Sequence, residues 1–292
     1  MKRRKFLKYS LLTSASIATM DLISLANSLI NAPDADKLMP ALFVGHGAPT
    51  YVLGENKYNL AWKKIGESIP KPKAIVCISA HWLTQGKTAL TAMPNPKTIH
   101  DFGGFPDEMY QFQYPAPGKP DLAKEISNTI INPSVELDHQ WGFDHGTWTV
   151  LYHMFPNHDI PVLQLSIDYS KGAQYHFDLA KKLMFLRKKG VFVISSGNIV
   201  HNLRQIIFKE SAQYDWALEF DETSKNLIEK GDFKSLINYQ NLGKSANLSI
   251  PTPDHYFPLM YALGLKTEKD QITFPVDGVT YGSTSMRSVL IA

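Results

Sequence analysis

The sequence contains a single cysteine, Cys77, so no intrachain disulfide can form in any compartment. Cys77 stands in an apolar run at residues 74–78, where we expect a small buried hydrophobe rather than a nucleophile. An excess of charge of one sign is also missing. Residues 38–292 carry 24 positive and 24 negative side chains, and the formal net charge of +3 arises in residues 1–37. Because the body has no basic excess, the sequence offers no electrostatic footprint for nucleic acid.

Several motifs that would indicate common enzyme classes are missing as well. Neither a Gly-x-Gly-x-x-Gly nor a Walker pattern occurs, which excludes the usual phosphate-binding loops. The run Ser195-Ser196-Gly197 lacks the glycine that stands two residues before the serine in a nucleophile elbow, and this disfavours a serine hydrolase. No loop is rich enough in Asp and Glu to indicate a calcium site.

The segment at residues 1–37 has the pattern of a targeting signal. Residues 3–8 read Arg-Arg-Lys-Phe-Leu-Lys and precede a mildly apolar stretch rich in Ser and Thr, which resembles a twin-arginine export leader. We therefore expect residues 1–37 to be an export leader with a short spacer, which the export machinery would deliver to the periplasm. The alternative is an ordinary basic N-terminus before an amphipathic helix, and a chain without a functional leader would be cytoplasmic.

Residues 9–30 have the length of a membrane span but not its composition. Asp21, Asn27 and several hydroxyl side chains would be costly in hydrocarbon. We expect no stable membrane span here.

From Pro40 onward, short apolar runs alternate with helical stretches. This pattern predicts a single α/β domain with a central, mostly parallel or mixed sheet flanked by helices. Strands that are buried on both faces are predicted at residues 41–45, 74–80, 161–167 and 191–196. Helices are predicted at residues 58–68, 121–131, 147–154, 173–189, 215–229 and 258–263, and further strands at 271–274 and 288–291.

Three of the ten histidines follow predicted strands. His46 comes directly after the first strand, His81 ends the second, and His201 lies just past the strand at residues 191–196. Ligands bind at the carboxyl ends of the strands in an open α/β sheet, so we expect these three side chains to converge on one crevice. Imidazole is a common ligand of zinc, iron and copper, and the sequence therefore predicts a transition-metal site at this edge.

Two more histidines lie in loops that can reach the same crevice. His145 precedes a predicted helix that Asp144 can cap, and His255 lies in a loop framed by prolines. Three further side chains are candidates for the substrate pocket: His100, whose alternative role is to fix its own loop, and Trp82 and Trp148, whose indoles can pack against a planar ring. We assign structural or surface roles to the remaining histidines His139, His153, His158 and His176.

Taken in order along the chain, these motifs resemble a known family. The sequence is similar to the DODA-type class III extradiol ring-cleavage dioxygenases of the LigB superfamily, from Pro40 to the C-terminus, which identifies residues 38–292 as the catalytic domain. The motifs that carry the resemblance are Gly45-His46-Gly47-Ala48-Pro49, Ser79-Ala80-His81-Trp82, His100-Asp101-Phe102-Gly103-Gly104, Gly142-Phe143-Asp144-His145-Gly146, Ser196-Gly197-Asn198 with His201, and Pro251-Thr252-Pro253-Asp254-His255.

The resemblance implies cleavage of a catechol ring beside its two hydroxyls, with both atoms of O2 incorporated. It implies one non-haem divalent metal ion per chain, Fe(II) for catalysis or Zn(II) as in related proteins. Its metal ligands correspond to His46, His81, His201 and His255, and its catalytic base to His145. A six-coordinate iron that holds a chelated diol and O2 leaves three places for protein, so we expect His201 or His255 to lie outside the coordination sphere or to leave it during turnover.

Two other functions remain open on the residues alone. The histidine cluster is also compatible with a periplasmic metal-binding protein without turnover, or with a zinc-dependent hydrolase in which three histidines activate water. The substrate is expected to be a small aromatic diol, DOPA-like or another ortho-diphenol. Arg204 and Arg287 are candidate partners for a substrate carboxylate, although surface roles are favoured for both.

Overall fold

The computed structural model describes residues 38–292, and the predicted export leader lies outside the described residues. Twelve strands occur in the described part of the chain: β1 (Ala41–Gly45), β2 (Ala74–Thr84), β3 (Thr88–Thr91), β4 (Lys97–Thr98), β5 (Val135–Asp138), β6 (Gly142–Phe143), β7 (Val162–Asp168), β8 (Val191–Gly197), β9 (Ile272–Val276), β10 (Val279–Thr280), β11 (Thr284–Ser285) and β12 (Ser288–Ile291).

Eight of these strands form one mixed sheet in the order β5-β3-β7-β2-β8-β1-β12-β9. The four central strands β7, β2, β8 and β1 run parallel to one another, and β12 and β9 continue the sheet with antiparallel pairing. On the other side β3 pairs antiparallel with β7 and parallel with β5. The prediction of a single α/β domain around a central mixed sheet is confirmed.

Along the chain, the helices of the described residues alternate with these strands or groups of strands. They are α1 (Lys57–Ser68), α2 (Asp107–Gln111), α3 (Pro120–Thr129), α4 (His145–Met154), α5 (Ala173–Lys182), α6 (Met184–Lys188), α7 (Asp215–Glu229), α8 (Phe233–Ile237), α9 (Lys244–Ser249) and α10 (Phe257–Gly264), with short 3-10 turns at Pro49–Val52, Leu203–Gln205 and Tyr239–Leu242.

Side-chain caps fix the start of α1 and α4. Asn56 precedes α1, and its side chain accepts hydrogen bonds from the backbone of Tyr58 and Asn59, while the Asn59 side chain accepts one from the Asn56 backbone. This reciprocal arrangement is a capping box. Asp144 caps α4 by accepting a hydrogen bond from the backbone of Thr147, as the sequence predicted.

The two faces of the sheet pack against separate apolar cores. Along β1, Ala41 and Phe43 belong to one core, whereas Leu42 and Val44 belong to the other. This alternation follows from the period of two in a strand. Every residue of β7 and of β8 is buried, which explains why these strands are apolar on both faces. Cys77 is 1% exposed in the second core, in agreement with its predicted role.

The structure corrects two predicted elements and adds two strands to the predicted sheet. The predicted helix at residues 173–189 is two helices, because the chain breaks at Leu183 between α5 and α6. The second strand does not end at residue 80 but continues to Thr84. Strands β3 and β5 were not predicted, since each has only four residues and lies on the sheet's outer side, where polar residues interrupt the apolar pattern.

None of the helices within residues 38–292 combines the length and the apolar character that a membrane crossing requires.

Candidate metal centre

The structure brings five histidine rings together at the carboxyl ends of β1 and β8. The ring centroids of His46 lie 5.1 Å from His81, 5.6 Å from His145 and 5.2 Å from His255. His81 and His145 are 3.9 Å apart, and His201 stacks on His255 at 3.5 Å. The four proposed ligands and the proposed base therefore share one site.

Two adjoining parallel strands position His46. β1 pairs with β8 up to Gly45 and Gly197, and the backbone N–H of His46 donates to the carbonyl of Gly197 at 3.2 Å. Gly197 must lack a side chain, since a Cβ there would overlap the carbonyl oxygen of His255. The backbone of Asn198 donates to that same carbonyl at 2.9 Å, which holds the loop of His255 against the end of β8.

His81 does not end its strand, contrary to the prediction. It lies inside β2, where Ile78 pairs with Leu165 and Leu83 pairs with Ile167 of β7. Three extra residues of β2 therefore form an irregular bulge that contains His81. A bulge locally bends the strand and redirects a side chain, which explains how a residue in mid-strand turns into the crevice.

The hydrogen bonds around His46 determine which ring nitrogen is free. The Ser196 hydroxyl donates to the carbonyl of Gly146 at 2.6 Å. Its single proton is thereby used, so the hydroxyl oxygen accepts from Nδ1–H of His46 at 2.9 Å. Nε2 of His46 consequently carries a lone pair and faces Nε2 of His81 at 3.1 Å.

Two carboxylates orient the other rings in the same way. Oδ2 of Asp101 lies 3.1 Å from Nδ1 of His81 and 2.9 Å from Nδ1 of His145, and its Oδ1 accepts from the His145 backbone at 2.9 Å. Oδ2 of Asp254 accepts from Nδ1 of His255. His145 and His255 are thereby left with Nε2 as the free nitrogen. Carboxylates behind ligand histidines fix both tautomer and ring orientation.

Sequence reasoning missed the roles of Asp101, Asp254 and Ser196. All three occur in the motifs that carry the family resemblance, and each carboxylate adjoins a histidine, His100-Asp101 and Asp254-His255. An acidic residue beside a histidine in a loop was the available signal. Two of the contacts join distant parts of the chain: Asp101 lies 44 residues from His145, and Ser196 lies 150 residues from His46.

Burial favours the neutral form of two of the proposed ligands, His46 and His81. Burial lowers the pKa of His46 and of His81 well below the ordinary value, and neighbouring histidines lower both further. Burial by itself raises the pKa of Asp101, but the hydrogen bond and charge of His145 outweigh it and hold that pKa below its usual value. The lowered pKa values favour the neutral form of His46 and His81, which is the form that binds a metal ion, and the Asp101 carboxylate beside His145 stays charged.

The donor set fits a single transition-metal ion. Ring nitrogens of His46, His81 and His145 lie within 4.8 Å of one another, and the same holds for the ligand atoms of His201, Asp254 and His255. Nε2 of His46 and Nε2 of His81 lie 3.1 Å apart, which is close enough for both to bind one ion. Imidazole nitrogen suits zinc, iron and copper.

A cavity of about 510 Å³ opens onto the histidines. Its volume lies within the range of small-ligand pockets and accommodates one aromatic ring with a substituent. Apart from the five histidines and Asp101, its walls are mainly apolar or aromatic, including Tyr51, Phe102, Phe105, Leu203, Ile206, Phe208, Tyr281 and Met286.

The three pocket candidates from the sequence do not line this cavity. A ring nitrogen of His100 contacts the carbonyl of Phe112 at 2.9 Å, which is the loop-fixing alternative. Trp148 Nε1–H donates to the carbonyl of Ile99, and its ring lies 6.3 Å from His145. Trp82 stacks on Trp141 with centroids 5.4 Å apart.

The two candidate arginines also lie away from the cavity lining. Arg204 is exposed, as expected. The expectation of a surface role for Arg287 is wrong, because it is 5% exposed and binds the Asp221 carboxylate through Nε at 3.0 Å and through its terminal nitrogen at 2.6 Å. Asp221 needs a buried partner, and Arg287 supplies it.

Comparison with known proteins identifies the family. Residues 41–289 match the model described as the catalytic LigB subunit of aromatic ring-opening dioxygenase. The chain is 49% identical over 258 residues to 4,5-DOPA dioxygenase extradiol of Escherichia coli strain K12, covering 87% of this chain and 94% of that protein. It is 36% identical over 239 residues to the protein of the same name from Portulaca grandiflora, covering 79% and 88% respectively.

A solved structure agrees with these relatives. The crystal structure of an uncharacterized protein of Escherichia coli K12 superposes with a TM-score of 0.76 at 44% identity and covers 87% of this chain and all of that one. The family match extends over nearly the whole described domain, well beyond the histidine motifs. The chain belongs to the LigB family of aromatic ring-opening dioxygenases and is an extradiol ring-cleaving oxidoreductase, as the resemblance of its motifs predicted.

Proposed function

We propose that this chain uses iron and O2 to open the ring of a catechol-type substrate, DOPA-like or another ortho-diphenol, with His145 as the base. One observation carries the proposal: four histidines, each with Nδ1 within 3.1 Å of Ser196, Asp101 or Asp254, line one ring-sized cavity. The names of the relatives support a catechol with a DOPA-like side chain as one substrate to test.

His46, His81 and His255 would hold the ion. Their ring centroids form a triangle with sides of 5.0 to 5.2 Å, whereas His201 contacts the group through its stack on His255. Bound Fe(II) would supply the electron exchange between the diol and O2 that zinc, which has no redox chemistry, does not provide. Three protein ligands leave room for both reactants.

His145 is suited to move a proton. Because its Nδ1–H donates to Asp101, the free Nε2 can accept a proton from a catechol hydroxyl, and the Asp101 carboxylate then stabilises the imidazolium. The Phe102 ring lies 5.9 Å from His145 and forms part of the cavity wall beside it. This wall limits the access of water to the proton as it is transferred.

Reconstitution tests the proposal directly. The metal-free protein is loaded with Fe(II) or with Zn(II), and O2 uptake is followed with catechol, DOPA, caffeate and protocatechuate. We expect one O2 consumed per ring opened and a yellow product from the iron form alone. Tight metal uptake without O2 consumption would instead indicate a metal-binding protein, and hydrolytic turnover without oxygen would indicate a zinc hydrolase.

We further propose that residues 1–37 export the protein to the periplasm. The paired Arg3 and Arg4 support this proposal because a twin-arginine leader depends on them. Replacing both by lysine keeps the charge, so a retained, unexported variant would identify the leader. Equal distribution of the wild type and the R3K/R4K variant between periplasmic and cytoplasmic fractions would overturn it.

A further inference from the structure

Asp144 is a fully buried carboxylate with more contacts than a helix cap requires. Its Oδ1 accepts from the backbone of Thr147 at 3.3 Å, and this bond caps α4. The same oxygen accepts from the Ser79 hydroxyl at 2.6 Å, and Oδ2 accepts from the side-chain amide of Gln164. All three partners are buried, neutral donors. A cap needs a single acceptor oxygen, whereas burying a carboxylate among neutral groups is costly, so capping alone does not account for these contacts.

Gln164 holds the Asp144 carboxylate against the central sheet. It lies in β7, opposite Cys77 of β2. Its NH2 group donates to Asp144, while its side-chain oxygen accepts from the Thr147 hydroxyl at 2.9 Å and from the Asp144 backbone at 3.3 Å. Both ends of the amide therefore contact the start of α4, which fixes the orientation of the amide and of the carboxylate.

The same network joins the segment of a proposed ligand to that of the proposed base. The Ser79 hydroxyl oxygen accepts from the backbone N–H of His81 at 3.3 Å, in the bulge of β2. On the other side, Asp144 fixes the first turn of α4, which begins with His145. Gly146 in that turn has no room for a side chain, because a Cβ would lie 2.4 Å from Oγ of Ser79 and 3.0 Å from the His81 ring. The bulge and the start of the helix are thus in direct contact, with the His81 and His145 ring centroids 3.9 Å apart.

From these contacts, we propose that Asp144 is a positioning residue for ring opening, which holds the bulge of β2 against the start of α4 and so sets the separation of the His81 and His145 rings. Asp144 does not line the cavity and reaches the two rings only through other groups. Asp101, by contrast, lines the cavity and contacts both rings itself. The inference rests on the proposed function and adds a residue to its site.

An exchange of the amide and the carboxylate tests this role. D144N places an NH2 group against the NH2 group of Gln164, so a donor opposes a donor. In D144N/Q164E the two groups change places, and every hydrogen bond of the network keeps one donor and one acceptor. We expect D144N to lower kcat of the Fe(II)-loaded protein by about 10- to 100-fold and to weaken Zn(II) binding in chelator competition by about tenfold. KM should change little, because the cavity wall is untouched, and D144N/Q164E should recover most of both losses.

Two further variants separate positioning from stability. Asp270 is also a buried carboxylate, binds Arg187 at 2.8 Å and does not line the cavity, so D270N is the matched control. D270N should lower the free energy of unfolding in urea but leave Zn(II) affinity and kcat per metal-loaded chain unchanged. S79A removes only the link toward His81 and keeps the cap of α4, so it should weaken Zn(II) binding and decides the matter if D144N does not fold.

Three results would overturn the inference: wild-type kcat and Zn(II) affinity in D144N or in S79A, losses of the same size in D270N, or a D144N/Q164E protein that unfolds like the wild type and yet remains as impaired as D144N. If the wild-type iron form opens no catechol ring, the proposed function fails. The Zn(II) affinities of the same variants then still decide whether Asp144 positions the site.

Discussion

The rings of His201 and His255 stack with centroids 3.5 Å apart and planes tilted by only 9°. The two are not equivalent within the cluster. Nδ1 of His255 is held by Asp254, and its ring lies 5.2 Å from His46 and 5.0 Å from His81. His255 therefore has an oriented, free Nε2 beside the other two rings, whereas the side chain of His201 has the stack as its main contact.

This difference predicts opposite results for two alanine variants. H255A should lose most of its metal, because one of three oriented nitrogens disappears. H201A should retain its metal, because the His201 ring is not one of the three in the proposed ligand triangle. It should lose activity, because that ring lines the cavity. Metal content per chain, measured after loading and desalting, checks the prediction. Equal metal loss in both variants would show that His201 is a ligand.

Replacing His145 by alanine should separate metal binding from catalysis. H145A is expected to keep its metal and to lose ring opening, because the variant lacks the Nε2 that accepts the hydroxyl proton. H46A serves as the comparison and should lose the metal. The geometry makes this a strict test, since ring nitrogens of His145, His46 and His81 all lie within 4.8 Å of one another. Loss of metal from H145A would make His145 a ligand.

Asp101 connects a proposed ligand to the proposed base, so D101N should affect both. The carboxylate accepts from Nδ1 of His145 through one oxygen and from the His145 backbone through the other, and Nδ1 of His81 lies 3.1 Å from the first of these oxygens. An amide has only one acceptor oxygen, and its NH2 group would oppose a donor. We expect metal affinity and kcat each to fall by about 10- to 100-fold.

Chelator competition for Zn(II) and steady-state kinetics of the iron form measure the two effects of D101N separately. Asp107 is an exposed carboxylate in the first turn of α2, and D107N is the matched control. Unchanged metal affinity together with unchanged kcat in D101N would show that neither ring depends on this carboxylate for its orientation.

The histidines were predictable from the sequence, whereas their supports and the pocket walls were not. Apolar runs mark the strands, and His46 and His201 each follow such a run. The sequence therefore indicates that both lie at one edge of the sheet. Adjacency in sequence misleads here: Trp82 directly follows His81 in β2, but its ring stacks on Trp141 and does not line the cavity.

Contacts between distant segments leave no periodic signal either. Leu203 and Phe208 line the cavity but lie in an exposed segment, where the sequence pattern indicates only a loop. Arg287 is buried against Asp221, a residue of α7 that the sequence pattern does not connect with it. Tertiary packing alone brings such pairs together, so the sequence predicts their chemical types and not their partners.

A buried histidine outside the site should make stability depend on pH. His176 is fully buried, its Nδ1 lies 3.1 Å from the Tyr261 hydroxyl, and its ring lies 4.5 Å from that of Phe257. Burial lowers its pKa from 6.5 to about 4. Between these two values the unfolded chain binds a proton that the folded protein does not, so folding loses stability as pH falls from about 6.5 to about 4.

The H176Q variant lacks this titration and isolates its contribution. As pH falls through that window, the free energy of unfolding of the wild type should decrease relative to that of H176Q by roughly 3 kcal/mol in total. Urea unfolding of both metal-free proteins at a series of pH values measures the difference, and the histidines of the metal site then contribute equally to both curves. Parallel curves from pH 7 downward would mean that His176 is protonated as readily in the folded protein as in the unfolded chain, and that its burial imposes no penalty on the charged ring.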